Sequence, residues 1–532
     1  MKNNLKKYVI NLIFPAFILG SITGILTGAI ITLYKFCAKN VIAFSETGYE
    51  FIRNNLYLIP VVLAGLFGLA VLFYLVYKKE PRLKGGGIPS SIALMRGLIS
   101  FKWLRVLVGV FFMSLTSFLV GVPLGNEGPS VLMGATLGKG TVFPLQKKHL
   151  AWRRYTITGG ACAGFAIATG APISGIVFSL EEAQHHLSPM IVIVSCFSVL
   201  FARITTELLS PLLGVSVALF PEFQVLSLSL GDVWLPLLIG VIVGLFSVAF
   251  LYGYKFISKF FNKCLKKIPL YIKIFFVFVV TFALGLCSFS YISTGHDLIV
   301  ELFTEKPALV ALLVLLLARS VLTLCSNTNK ITGGIFLPIL AVGALVASLI
   351  SGVLQNYFSL SSDYHTIILV LGITACIAGT MKMPLTAILF SVEALSCHTN
   401  ILYVVIVSVV AYMIPELFRM KSINDKVVDN LVKESQEGKT PIVIDTFVTV
   451  KHNSFAVGKQ VRDILWPANL FVLSFKPNQN RVALIDEHGG KSLHEGDVLH
   501  IRYSTYNEAI TKRDLIAIVG EQDYDEHITS KI

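Results

Sequence analysis

The stretch Val122-Pro-Leu-Gly-Asn-Glu-Gly-Pro-Ser130 sets one carboxylate, Glu127, among glycines and prolines inside an otherwise apolar region. Two other strings share this composition, Gly85-Gly-Gly-Ile-Pro89 and Gly333-Gly-Ile-Phe-Leu-Pro338. Glycine lets the backbone approach closely or take positive φ, and proline suits the first helical turn, where its missing N–H costs nothing. Each string therefore predicts a helix start. A helix start presents unpaired N–H groups and the positive end of the helix dipole, which hold an anion without any lysine or arginine. Three starts converging predict a dehydrated anion site, and partial charges also let the ion leave. The anion-binding candidates are Gly85, Gly86, Gly87, Ile88 and Pro89; Gly125, Asn126, Gly128 and Pro129; and Gly334, Ile335 and Phe336.

A carboxylate at such a site is itself an anion. Glu127 takes the anion's place when ionised and vacates it when protonated, which makes it a gate and a proton carrier. The plainer alternative is a capping glutamate satisfied by first-turn amides, the usual role near helix starts in soluble proteins. Depth in a membrane favours the gate.

Glu181 and Glu182 close an apolar run, with His185 and His186 one turn later, so Glu-x-x-His spacing raises a carboxylate–histidine metal site. An internal echo supplies only Glu393, Cys397 and His398, which is thin for a ligand set. The preferred reading makes Glu181 and Glu393 hydrogen-bond acceptors at helix ends and leaves Glu182 as a second proton relay. Arg319 and Lys382 are expected to snorkel or pair structurally. There is no Gly-x-Ser-x-Gly, His-Glu-x-x-His or Walker loop, so no enzyme activity and no cofactor is expected.

The elements that must position these residues are membrane helices. Of 532 residues, 55% are hydrophobic and 14% charged, with a mean hydropathy of +0.74, beyond the needs of a soluble core. Roughly ten windows between residues 8 and 417 are long enough to cross a bilayer, among them Leu56–Tyr77, Val233–Tyr254, Ala308–Leu324 and Thr366–Val392. Several are too long or too interrupted to be single straight spans, which predicts paired, tilted or broken helices. The first, Tyr8–Tyr34, lacks a small-residue cleavage site and reads as a retained helix. A formal charge of +13 raises nucleic acid as a partner, but the cations cluster beside apolar windows: Lys2, Lys6 and Lys7; Lys78, Lys79, Arg82 and Lys84; Lys147, Lys148, Arg153 and Arg154. That is the positive-inside pattern, with a cytoplasmic N-terminus and no nucleic acid. The eight cysteines, scattered without Cys-x-x-Cys spacing, read as buried small residues.

The membrane region repeats itself. Gly159–Glu182 aligns with Leu371–Ala394 at an offset of 212, matching Pro172 with Pro384, Phe178 with Phe390 and Glu181 with Glu393. Upstream, Gly125, Pro129, Gly134 and Ala135 fall on Gly334, Pro338, Gly343 and Ala344 at an offset of 209. Duplicated halves with interrupted segments at equivalent places suit a transporter with a midplane site.

Composition changes near residue 420. The expected domains are a membrane region over 1–430, a linker over 431–440 and a small α+β module over 441–532. Strands are expected at Pro441–Val450, Leu470–Lys476, Arg481–Ile485 and Asp497–Tyr503, with a turn at Gly489–Gly490 and a helix at Val457–Leu465. With basic flanks inside, the module faces the cytoplasm.

The three strings resemble the CLC family of chloride channels and proton/chloride antiporters, whose members carry G-S-G-I-P, G-(K/R)-E-G-P and G-x-F-x-P around the anion. Order, spacing and duplicated halves agree over residues 10 to 430. The resemblance implies an all-α polytopic protein of two inverted helical repeats with broken helices, each protomer of a homodimer having its own pore. It implies halide transport in a bacterial inner membrane in exchange for protons, because Glu127 matches the gating glutamate and Glu182 the internal proton-transfer glutamate. Ile335 and Phe336 match the amide donors to the central anion. A passive chloride channel stays open as a rival. Departures from the pattern matter. Gly86 replaces an anion-coordinating serine, Asn126 replaces Lys or Arg, and Asn424 or Tyr403 stands for the pore tyrosine. The G-N-E-G-P form resembles the fluoride/proton antiporter branch. The C-terminal segment, clearest at Leu493-His-Glu-Gly-Asp-Val-Leu-His-Ile, resembles the TrkA-C (RCK-C) module, which implies dimerisation and a small ligand such as cyclic di-AMP. That module also raises a non-transporter reading, a regulatory subunit of an ion-uptake system.

Overall fold

The computed structural model describes residues 13–143, 147–184, 188–436, 440–477, 483–484, 490, 492–522 and 529–530. Its first half runs α1 (Phe14–Asn54), α2 (Ile59–Lys79), α3 (Ile88–Met95), α4 (Trp103–Val120), α5 (Glu127–Val142), α6 (Arg153–Thr169), α7 (Pro172–Phe178) and α8 (Pro189–Leu213). The second continues with α9 (Trp234–Lys259), α10 (Leu270–Cys287), α11 (His296–Thr304), α12 (Leu309–Thr328), α13 (Phe336–Phe358), α14 (Tyr364–Cys376), α15 (Pro384–Ala394), α16 (Ile401–Leu417) and α17 (Ile423–Gln436). Among the described residues, nine helical segments are long and apolar enough to cross a membrane, and the protein is a multi-pass integral membrane protein. The membrane region comprises two inverted helical repeats with broken helices.

The break points follow from backbone chemistry. α6 ends at Gly170, in the left-handed conformation at φ 70°, and Pro172 then opens α7. One repeat later Lys382 takes the same conformation at φ 61°, and Pro384 opens α15. The apolar window Thr366–Val392 is thus two helical pieces. A non-glycine residue pays steric strain at that φ, and Lys382 is tied down by an ion pair to Glu416 at 2.8 Å. π-helical turns at Ser179–Gln184 and Ile377–Met381 add further irregularity.

The cores of α5, α6, α13 and α14 are buried nearly throughout. Small residues make this possible. The Cβ of an alanine at Gly134 would lie 2.0 Å from the Gly160 carbonyl oxygen, and one at Gly160 would lie 2.1 Å from that of Gly134. Such backbone-on-backbone packing is how membrane helices associate where no hydrophobic driving force separates them from lipid.

The C-terminal module holds β1 (Ile442–Thr449), β2 (Leu470–Lys476), β3 (Ala483–Leu484), β4 (Val498–Thr505), α18 (Glu508–Val519) and β5 (Thr529–Ser530). The sheet order is β3-β2-β4-β1-β5, with antiparallel pairing throughout and Ile444 opposite Tyr503. Leu499, Ile501 and Tyr503 are buried on one face of β4 with a period of two, beside Leu515 and Val519 of α18. Two expectations need correction. Val457–Leu465 is irregular apart from a short 3-10 turn at Val461–Asp463, and the module's helix is α18. The expected linker begins as helix, because α17 runs to Gln436 with apolar Val428 and Leu431 buried. Gly489 and most of Arg481–Ile485 lie outside the described residues.

The module docks on the start of α6. The Tyr155 hydroxyl donates to the Asp463 carbonyl at 3.0 Å and accepts from the Leu465 amide at 2.9 Å. Arg154 donates to the carbonyls of Trp466 and Met95, and Arg153 pairs with Asp514 at 2.9 Å.

Candidate functional site

The three glycine–proline strings meet. Gly125 and Gly334 exchange backbone hydrogen bonds of 2.6 and 2.7 Å, an isolated antiparallel bridge between the two repeats. A Cβ on Gly128 would lie 1.9 Å from the Gly86 carbonyl oxygen and 2.7 Å from the Gly334 Cα, so one glycine from each string shares a single contact. Gly87 takes φ 78° at the N-cap of α3, with Ile88 and Pro89 opening the helix. Asn126 caps α5 and Ile335 caps α13, and none of the three starts receives a side-chain cap. At α3 the Ile88 amide already donates to the Gly86 carbonyl at 2.9 Å, while the first-turn amides of Phe336 and Gly128 have no acceptor among the described residues. Pro129 is buried in the first turn of α5.

Glu127 is the first residue of α5 and fully buried. Its carboxyl folds back over Gly125, where a Cβ would lie 2.3 Å from Oε2. The amides of Glu127 itself and of Leu337 approach the carboxyl, but outside hydrogen-bond geometry, and both oxygens lack a partner among the described residues. Glu127 is therefore not a satisfied helix cap. Its carboxyl stands against its own amide and that of Leu337 at the meeting point of the strings. Asn126 Oδ1 is likewise buried without a partner.

The amide donors rest on a rigid floor. The Phe336 ring meets Phe165 edge-on at 5.2 Å and Phe390 at 5.4 Å, while Phe165 stacks on Phe178 at 4.6 Å. Phe178 and Phe390 are the repeat-related pair, so each half contributes a ring to the support. Their role was readable only as a matched position.

A cavity of about 320 Å³ reaches Gly85 and Gly86, bordered by Lys84, Asn327, Lys330 and Glu434. Lys330 has φ 60°. Its carbonyl accepts from the Gly85 amide at 2.9 Å and its ammonium pairs with Glu434 at 2.5 Å. These residues form a polar mouth to the first string. Sequence reasoning missed it, although Lys84 adjoins the string directly.

Glu182 is buried in the π-helical turn after α7, where Oε1 accepts from Asn424 Nδ2 at 2.8 Å. Its carbonyl accepts from Arg96 at 2.9 Å. Asn424, expected among the anion ligands, thus gives one of the two N–H donors of its side-chain amide to Glu182. At the same helix start, Ile423 borders a small void with Ile335 and Asn327. Tyr403 is buried in α16, with no hydrogen bond to the strings among the described residues.

Glu181 accepts from the Leu385 and Thr386 amides at 2.9 and 2.8 Å, and Glu393 accepts from the Ile173 and Ser174 amides at 3.0 and 2.8 Å. Both are end caps, as expected. His185 and His186 lie outside the described residues. Arg319 is buried and gives hydrogen bonds to the carbonyls of Ser290, Ile292 and Ser293. Lys35, not singled out because it ends the first apolar window, gives hydrogen bonds to the carbonyls of Ile167 and Ser216 at 3.3 and 3.0 Å.

Residues 67–416 match the profile of the voltage gated chloride channel family. The chain belongs to that family. It is 27% identical over 436 residues to the H(+)/Cl(-) exchange transporter ClcA of Vibrio parahaemolyticus, covering 80% of this chain and 91% of the relative. ClcA of Vibrio cholerae is 26% identical over 434 residues, with the same coverage. Among solved structures, a slow cyanobacterial Cl−/H+ antiporter superposes with a TM-score of 0.70 at 22% identity, covering 79% of this chain and 99% of that one. A CLC-type fluoride/proton antiporter superposes with a TM-score of 0.61 at 22% identity, covering 76% and 96%. At that identity these two similarities speak for the fold alone.

Proposed function

We propose that this protein exchanges halide for protons across a bacterial inner membrane, with Glu127 as gate and proton carrier and Glu182 as the second proton-transfer carboxylate. The observation that carries this reading is the unpartnered Glu127 carboxyl at the convergence of three uncapped helix starts. When ionised it fills the place of the transported anion, and protonation releases it. Backbone amides bind the anion in its absence. The ClcA relatives exchange protons and chloride by name, which supports chloride as the halide. Transport rather than chemical conversion is the activity.

Fluoride is the second reading. Gly86 brings no hydroxyl and Asn126 no charge to the site, so selectivity falls on amides alone. A passive chloride channel is the third. A single chain carries a complete set of strings, so the homodimer that the family resemblance implies would have one pore per protomer. The termini are cytoplasmic by the positive-inside pattern, and the C-terminal module regulates transport by binding a small ligand of the cyclic di-AMP kind. Isothermal titration of the full-length protein with cyclic di-AMP showing no heat would remove that ligand.

Efflux from proteoliposomes loaded with chloride or fluoride, with anion release and external pH recorded together, separates the readings. Chloride release with proton uptake supports exchange. Fluoride release with little chloride selects the second reading, and chloride release without proton movement selects the channel. No anion flux from the purified protein would favour a regulatory subunit of an ion-uptake system.

A further inference from the structure

Between the start of α4 and the C-terminal module lies a cavity of about 680 Å³ whose lining carries charges of one sign. Lys102 and Arg105 come from the entry to α4, Lys139 from the last turn of α5, Arg153 from the start of α6 and Arg513 from α18. Asp514 pairs with Arg153 at 2.9 Å and Arg513 at 3.3 Å. Lys139 donates to Ser100 Oγ at 3.1 Å and to the Phe101 carbonyl. Lys102 and Arg105 make no ion pair or hydrogen bond among the described residues. One carboxylate thus answers five cations, and the uncapped first turn of α4 adds its amides to the same wall.

The rim of this cavity is apolar. Trp103 opens a membrane-capable helix, and its ring packs on Gly140, where a Cβ would lie 2.9 Å away. Leu104 and Phe143 stand beside it, 55% and 74% exposed. A tryptophan at a helix end marks the membrane–water boundary. A free phosphate needs the cations but gains nothing from Leu104 and Phe143. A phospholipid uses both, with its headgroup among the cations and its chains along the apolar rim.

We propose that this cavity holds the phosphate headgroup of an anionic phospholipid. Four of its cations belong to the membrane region and Arg513 to the module, so a bound lipid fastens the two together next to the Arg153–Asp514 pair. The proposal is independent of which halide the pore carries.

The test uses the full-length protein in nanodiscs of phosphatidylcholine with or without phosphatidylglycerol. Lipid retained after extraction is read by native mass spectrometry, and amide exchange is followed over Glu508–Val519. Phosphatidylglycerol should be retained preferentially and should slow exchange in α18. Lys102→Ala/Arg105→Ala/Arg513→Ala should lower that retention by about tenfold or more, each surface cation contributing a share. Lys102→Gln alone, on which no described contact depends, should act in the same direction to a smaller extent and guards against misfolding of the triple variant. Equal retention of both lipids, or unchanged retention in the variants, overturns the proposal. Inorganic phosphate slowing exchange in phosphatidylcholine as fully as phosphatidylglycerol does would make this a free-anion site and overturn the lipid assignment.

Discussion

Glu181 and Glu393 cap each other's repeat: Glu181 accepts two backbone hydrogen bonds from the first turn of α15, which carries Glu393, and Glu393 accepts two from the first turn of α7, which leads to Glu181. The exchange fixes α7 against α15, both of which begin at a proline and carry a phenylalanine of the cluster around Phe336. A capping carboxylate and the proposed proton-transfer carboxylate thus lie side by side in sequence, at Glu181 and Glu182.

Replacing Glu181 or Glu393 by Gln leaves one strong acceptor and sets an NH2 group against an amide donor. Each change should cost about 1–3 kcal/mol of stability, seen as a lower thermal unfolding midpoint in detergent. The anion-to-proton ratio of the surviving protein should be unchanged.

The glycines of the three strings are not equivalent. Gly128→Ala drives a Cβ into the Gly86 carbonyl and should abolish transport or folding. At Gly86 a Cβ meets nothing closer than 3.4 Å, so Gly86→Ser should fold normally. Its hydroxyl adds one neutral donor, worth about 0.5–1.5 kcal/mol, and should strengthen chloride binding several-fold in isothermal titration.

Asn424 supplies the side-chain donor bound to Glu182. Asn424→Ala should slow proton movement about tenfold, as expected for losing a hydrogen bond to a group that must carry charge. Anion passage uncoupled from protons should persist. Equal slowing of both would place Asn424 in the anion path instead.

In the C-terminal module, burial lowers the Lys459 ammonium to about 8, while its Nζ sits 3.9 Å from the centre of the Phe455 ring. Between that value and the ordinary lysine value of about 10.4, the unfolded chain binds the proton that the folded one has lost, so stability rises with pH. The favourable contribution is present at high pH and is lost as pH falls through about 8. Lys459→Met should flatten this rise in thermal melts followed by tryptophan fluorescence from about pH 7 to about pH 11, roughly one unit beyond each of the two values.

The meeting of the three glycine–proline strings was legible because their chemistry is local. The glycine–proline strings specify helix starts through φ and a missing N–H, and the offsets of 209 and 212 pair the two halves. What stayed hidden depends on distant contacts. Asn424 and Glu182 are 242 residues apart, and only packing of α17 brings them together. The break at Lys382 lacks a glycine, so no residue type announces its left-handed conformation. The helix expected at Val457–Leu465 failed because Asp463, Leu465 and Trp466 give their backbone groups to Tyr155 and Arg154 rather than to a helix.

The central claim is that Glu127 both gates the anion and carries the proton. Glu127→Gln in proteoliposomes, with anion flux and external pH recorded together, tests it most directly, since a neutral amide neither competes as an anion nor carries a proton. Anion passage should continue while anion-driven proton movement disappears. Full pH-driven exchange in Glu127→Gln would contradict the account.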